Sequence, residues 1–99
     1  MKNVAEYHIG QVSTNGRQSI QIPQGAYVSG AYVRNGSVYI SVLQDTDQPY
    51  VLRTFLCVSP GMNVAAFGNT KRHWFIDRIE YSVRSDGTPI NYYIVEEEQ

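Results

Sequence analysis

The dipeptide Asn35-Gly36 constrains this chain more than any other pair of residues. Both residue types tolerate positive φ, which a two-residue hairpin of the primed kind demands because its twist has to match the strands it joins. The dipeptide lies inside a longer stretch, Tyr32 to Val58, whose other breaker is Gln44-Asp-Thr-Asp-Gln-Pro49. Between and beyond the two breakers stand Val, Ile, Tyr, Leu and Phe, which pack well on a pleated surface. The stretch therefore reads as a meander of three strands and two turns, with the rest of the chain expected to pair against it.

The remaining segments follow the same grammar. Val4 to Gln11 alternates with Ala5, Tyr7 and Ile9 on one face, and Arg17 to Ile22 puts Ile20 and Ile22 on one side of a second strand. Ser13-Thr-Asn-Gly16 between them predicts an amino-terminal hairpin. Pro23 and Gly25 end it, since proline has no amide for a ladder and glycine opens a corner. Ala26 to Arg34 reads as a third strand whose Gly30 suggests a bulge, and Ser37 to Gln44 as a fourth. Tyr50 to Val58 is apolar on both faces, which predicts a strand covered on both sides by a second layer or another subunit.

Ser59-Pro-Gly61 closes that strand. Met62 to Lys71 reads as a loop, with room for one short helical turn at 63–67. Arg72 to Arg84 resumes strand composition, with Trp74 and Ile76 on one face and Phe75, Ile79, Tyr81 and Val83 on the other. After the turn at Ser85 to Pro89 comes a last strand, Ile90 to Val95, and then Glu96-Glu97-Glu98, expected to be solvated. No helical period is sustained and turn signals recur about every ten residues. The expected fold is all-β and mainly antiparallel, a small sandwich or partly open barrel of about seven strands, forming a single domain over residues 1–99.

Composition narrows the function classes. Eight basic against nine acidic residues argue against a partner that is long nucleic acid, whose binding rests on many phosphate contacts. The single cysteine, Cys57, sits in an apolar strand pattern and reads as a buried thiol of a cytosolic protein. There is no apolar run long enough for a membrane span and no charged-then-apolar amino terminus, so no membrane partner is expected and the chain is expected to act where it is made. A core this small leaves a thin stability margin, which an oligomer would widen. Eight tyrosines, apolar rings with polar tips, suit half-buried strands, interfaces and ligand walls.

Catalytic chemistry finds little footing. His8, Cys57 and His73 are far apart in sequence and do not suggest a metal site or a Cys-His nucleophile. Asp45 and Asp47 lie in a turn, where Asp hydrogen-bonds its own backbone. No phosphate-cradling glycine loop occurs. The expectation is no catalysis, no metal and no cofactor. Two features suggest binding instead. Lys71-Arg72-His73-Trp74 sets cations beside an indole, which could neutralise a phosphate and stack on a base, or simply start a strand with a core Trp. Arg53 lies within a strand otherwise apolar on both faces and, if covered, needs a partner, either a carboxylate of the fold or an anion held in a pocket.

Ile22-Pro-Gln-Gly-Ala26, Asn35-Gly36 with the apolar strand to Leu43, Arg53-Thr-Phe55, Gly61 and the closing aromatic-Ile-Val-Glu-Glu resemble the pattern of a large group of short phage proteins, which typically open on a Tyr-x-Ile strand like Tyr7-His-Ile9. The chain departs where that group has Gly-Thr-Gly-His after the arginine strand and this one has Ser59-Pro-Gly-Met62. The group in turn resembles the tetrameric phage sponge proteins that sequester cyclic dinucleotides such as 3′,3′-cGAMP and silence cyclic-oligonucleotide antiphage defence (CBASS). That resemblance implies immune evasion in the host cytoplasm by a homo-oligomer, a tetramer favoured, that binds without turnover. Side-chain chemistry then nominates Arg53, Thr54, Tyr32, Lys71, Arg72 and Trp74 as ligand-binding residues. The alternative is a protein-binding or virion accessory module that uses the tyrosines as anchors.

Overall fold

Alternation of apolar and polar residues is converted here into two facing layers. The computed structural model describes residues 1–12, 15–61, 71–83 and 85–99. Among them are seven strands: β1 (Lys2–Gln11), β2 (Asn15–Pro23), β3 (Tyr27–Arg34), β4 (Ser37–Asp45), β5 (Tyr50–Val58), β6 (His73–Val83) and β7 (Pro89–Glu97). They form a three-stranded sheet in the order β1-β4-β3 and a four-stranded sheet in the order β2-β5-β7-β6, every pairing antiparallel. Ile9, Val38, Ile40 and Val42 of the first sheet meet Ile22, Phe55, Cys57, Ile79 and Ile94 of the second, all buried in one core. The expected all-β sandwich is the fold. The turn at 13–16, the loop at 62–71, the helical turn at 63–67 and the side chain of Val83 fall wholly or partly outside the described residues.

Asn35 and Gly36 take φ of 52° and 77°, and they join β3 to β4 as a tight hairpin. The next connection departs from expectation. β4 and β5 are not neighbours, so the meander ends at β4, and Asp45 to Tyr50 carries the chain from one sheet to the other. Nor do β1 and β2 form a hairpin, since β1 pairs with β4 and β2 with β5. Two crossover turns carry the chain between the sheets. Gly25, at φ 79°, occupies the third position of a turn closed by Ala26 N–H donating to Pro23 O, a type II arrangement that turns the chain out of the second sheet. Gln24 N–H then donates to Pro49 O at 2.8 Å, zipping this crossover to the one between β4 and β5 and extending the β2–β5 ladder beyond Pro23 and Tyr50.

Thr54 to Val58 are all buried, so this half of β5 is covered on both faces as its composition requires, whereas Tyr50 and Leu52 are about half exposed. Bulges adjust two other strands. The β3–β4 register shifts between Val28 and Gly30, as the glycine suggested. In β6, Ile76 is an extra residue between Phe75 and Asp77. It flips the alternation, so Phe75, expected to share a face with Ile79, is 61% exposed while Ile79 is buried. At the side of the sandwich where β3 approaches β6, Asp77 Oδ2 accepts the Ala31 N–H at 3.0 Å. A Cβ at Gly30 would stand 3.0 Å from that same oxygen, so any larger residue there would press on the Asp77 carboxylate and make it give by a few tenths of an ångström.

Candidate functional site

The acidic tail is where the sequence and the structure differ most. β7 runs to Glu97, and Glu96 and Glu97 are 2% and 1% exposed instead of solvated. Because successive strand residues point to opposite faces, Glu96 follows Tyr92 and Ile94 inward while Glu97 faces outward. Each meets an arginine. Arg53, facing inward with Phe55 and Cys57, donates from Nε to Glu96 Oε2 at 2.5 Å and from Nη2 to Oε1 at 2.7 Å. Its Nη1 donates to Ala26 O at 2.6 Å, a carbonyl set in place by the type II turn. Arg53 is thus paired within the fold, resolving the alternatives left open by its strand context.

This ion pair forms part of the wall of a cleft of about 270 Å³ between the start of β3 and the start of β6. Trp74, directly opposite Glu96 in the β6–β7 register, is 43% exposed and faces the cleft instead of serving as a core Trp. Tyr27, 66% exposed, lines the opposite side with Ser29, whose hydroxyl donates to Ser41 O. With Phe75 also in the lining, the site combines a fixed guanidinium–carboxylate pair, three exposed aromatic residues and a hydroxyl.

The other nominated residues are distributed elsewhere. Thr54 faces outward from the second sheet, its hydroxyl 2.7 Å from Ser19 Oγ. Register places Ser19, Thr54, Glu97 and His73 in one row across all four strands. Glu97 of that row accepts from Arg17 Nη2 at 2.5 Å, and His73 Nε2 lies 3.5 Å from its Oε1. The hydrogen bond from Arg17 is the main cause that holds the Glu97 carboxyl below its ordinary range. Tyr32 is on the outer face of the first sheet, stacked on Tyr39 at 5.5 Å with the Arg34 guanidinium over both rings. Its hydroxyl pKa is raised, first of all by a hydrogen bond with Glu6. Lys71 and Arg72 precede Trp74 and are exposed, Arg72 donating from Nε to Glu98 Oε2 at 2.6 Å.

Of the six nominated residues, the cleft gathers Arg53 and Trp74, has Lys71 and Arg72 just before Trp74 in sequence, and leaves Thr54 and Tyr32 outside. Sequence reasoning missed Glu96, Tyr27, Phe75 and Ser29 as residues of this cleft. For Glu96 a signal existed, its being in phase with Tyr92 and Ile94 on a strand whose inner face is apolar. No group of three or more His, Cys, Asp or Glu side chains gathers as a metal site among the described residues. Comparison with protein-family models, curated proteins and solved structures finds no match to this chain.

Proposed function

We propose that this protein binds and sequesters a nucleotide signal of the cyclic dinucleotide class, 3′,3′-cGAMP or a close relative, without cleaving it, and so serves a phage against cyclic-oligonucleotide defence in the host cytoplasm. The observation that carries the reading is the cleft, where an immobilised arginine and an exposed indole stand together between two strand starts, with Lys71 and Arg72 just ahead of Trp74 in sequence. An aromatic face with nearby cations is the pairing that nucleotides are bound by. Nothing in this reading requires turnover, since the carboxylate of the cleft is committed to Arg53.

The test is to incubate the purified protein with labelled 3′,3′-cGAMP, remove free ligand, and heat-denature the complex. Intact ligand retained before heating and released after it is the expected result. Trp74→Ala retains the fold, since its ring is exposed, and loses most of the binding. Failure to bind any cyclic oligonucleotide or ADP-ribose-derived signal sinks the proposal, and recovery of cleaved ligand replaces it with a hydrolase.

A second reading, a protein-binding or self-assembling module, is favoured by one specific observation. Val4, Leu43 and Tyr27 stand in one cross-strand row on the outer face of the first sheet, 72%, 52% and 66% exposed. Apolar rows of this kind on an open sheet face mark interaction surfaces. Stoichiometric capture of one host protein with indifference to nucleotides supports this reading, and a homo-oligomer that dissociates on Leu43→Lys supports assembly through the same row.

A further inference from the structure

Proximity of a cation to an aromatic ring suggests that the cleft holds a phosphate. The charge balance at its wall argues otherwise. Glu96 takes two N–H groups of Arg53 and Ala26 O takes a third, so the guanidinium charge is cancelled by a carboxylate only 2.5 Å away. A phosphate entering here would be repelled by Glu96 as it is attracted by Arg53. Displacing Glu96 to make room would leave a carboxylate, its side chain 3% exposed, without its counter-charge. The pair instead presents a neutral, polar wall with spare N–H donors on Arg53 and spare lone pairs on Glu96.

We infer that the cleft takes one purine base of the ligand, stacked on Trp74 with its acceptor edge toward the remaining donors of Arg53, while the phosphates lie outside it toward Lys71 and Arg72. This inference rests on the nucleotide reading above and assigns the parts of the ligand within it. Size agrees. The cleft, at about 270 Å³, is just below the roughly 300–1,000 Å³ of pockets that enclose a drug-sized molecule. That volume is of the size of a single base, and the rest of a dinucleotide would extend beyond it. Arginine donors paired with the O6 and N7 acceptors of guanine are a recurrent recognition geometry, so guanine is the preferred base. Lys71 and Arg72 are exposed; the partner of Arg72, Glu98, is itself partly exposed, and Lys71, though it acts on Glu97, keeps its access to water, so both cations can meet an anion in solvent.

Trp74 is the only tryptophan of the chain, so its emission reports on this cleft alone. Guanosine, which carries no phosphate, is expected to quench that emission and to displace labelled 3′,3′-cGAMP. Inorganic pyrophosphate is expected to leave the emission unchanged at the same concentrations. The double variant Lys71→Ala/Arg72→Ala is expected to weaken 3′,3′-cGAMP binding about tenfold or more while leaving the guanosine titration within about twofold of wild type. If 3′,3′-cGAMP binds but guanosine neither quenches nor competes, or if pyrophosphate perturbs Trp74 and the double variant weakens guanosine equally, the assignment is overturned while the nucleotide reading stands. Quenching by guanosine with no binding of any cyclic dinucleotide keeps the base site and removes the dinucleotide reading. Silence toward every nucleotide and nucleoside overturns both.

Discussion

Glu96 and Glu97 are adjacent, chemically identical and almost equally buried, yet they are placed in opposite situations. Glu96 points into the sandwich and meets an arginine that is itself largely covered, 18% exposed, through two hydrogen bonds. Glu97 points outward and meets Arg17, which is 45% exposed, through one. What separates them is the exposure of the partner. When a carboxylate is removed, a covered guanidinium loses both its counter-charge and its access to water, whereas a half-exposed one is rehydrated. A third pair, Arg72 with Glu98, completes the series at 84% and 35% exposure.

The largest effect is expected from Glu96→Ala, which strands Arg53 and lowers the unfolding free energy by about 3–5 kcal/mol, measured by chemical denaturation. Replacing both partners, Arg53→Met with Glu96→Leu, sharpens the point. Stability is expected to return to within about 1 kcal/mol of wild type because no uncompensated charge remains, while ligand binding in the cleft is abolished. A double variant as unstable as Glu96→Ala would show that packing, not charge, sets the cost.

Glu97→Gln is expected to cost less, about 1–2 kcal/mol at neutral pH, because Arg17 keeps water on one side. It also carries a pH signature. Arg17 holds the folded-state carboxyl below its ordinary value of 4.5, so its contribution is fully present above that value and is lost as the pH falls through the lower folded value. The stability difference between wild type and Glu97→Gln should therefore shrink on acidification from pH 5 downward, and a constant difference would break the comparison. Arg72→Ala, at the exposed end of the series, is expected to change stability by about 0.5 kcal/mol or less.

Much of the fold was legible because its signals are local. Asn35-Gly36 announces a hairpin through its own backbone freedom, and Tyr50 to Val58 declares its bounds through the breakers on either side. Which strand pairs with which was not legible. The choice depends on the contact of two turns distant in sequence, Gln24 with Pro49, and no single segment encodes it. The bulge at Ile76 was hidden for a related reason, since an extra residue in β6 is defined only against its partner β7. Of the nominated residues, Arg53 stood out as a charge in an apolar strand and Trp74 as an indole beside cations, and the structure brings both to one cleft. Thr54 and Tyr32 lie away from that cleft because selecting them by chemistry ignored which face each would occupy. Glu96 and Glu97 were discounted because three consecutive glutamates look like a solvated tail, although their arginine partners lie 43 and 80 residues away.

The Asp77 carboxylate on the Ala31 amide has an effect on how the molecule behaves in a crowd. An open sheet margin offers its amides to any passing strand, and uncontrolled recruitment there leads to fibres. At Ala31 the donor is already taken by a side chain from the other layer, so the rim of β3 is sealed at its middle by a charged group that no incoming strand can easily displace. The same contact separates two ways in which copies could meet. Additions along this stretch of the rim are disfavoured, while contacts across the broad faces are left untouched by it.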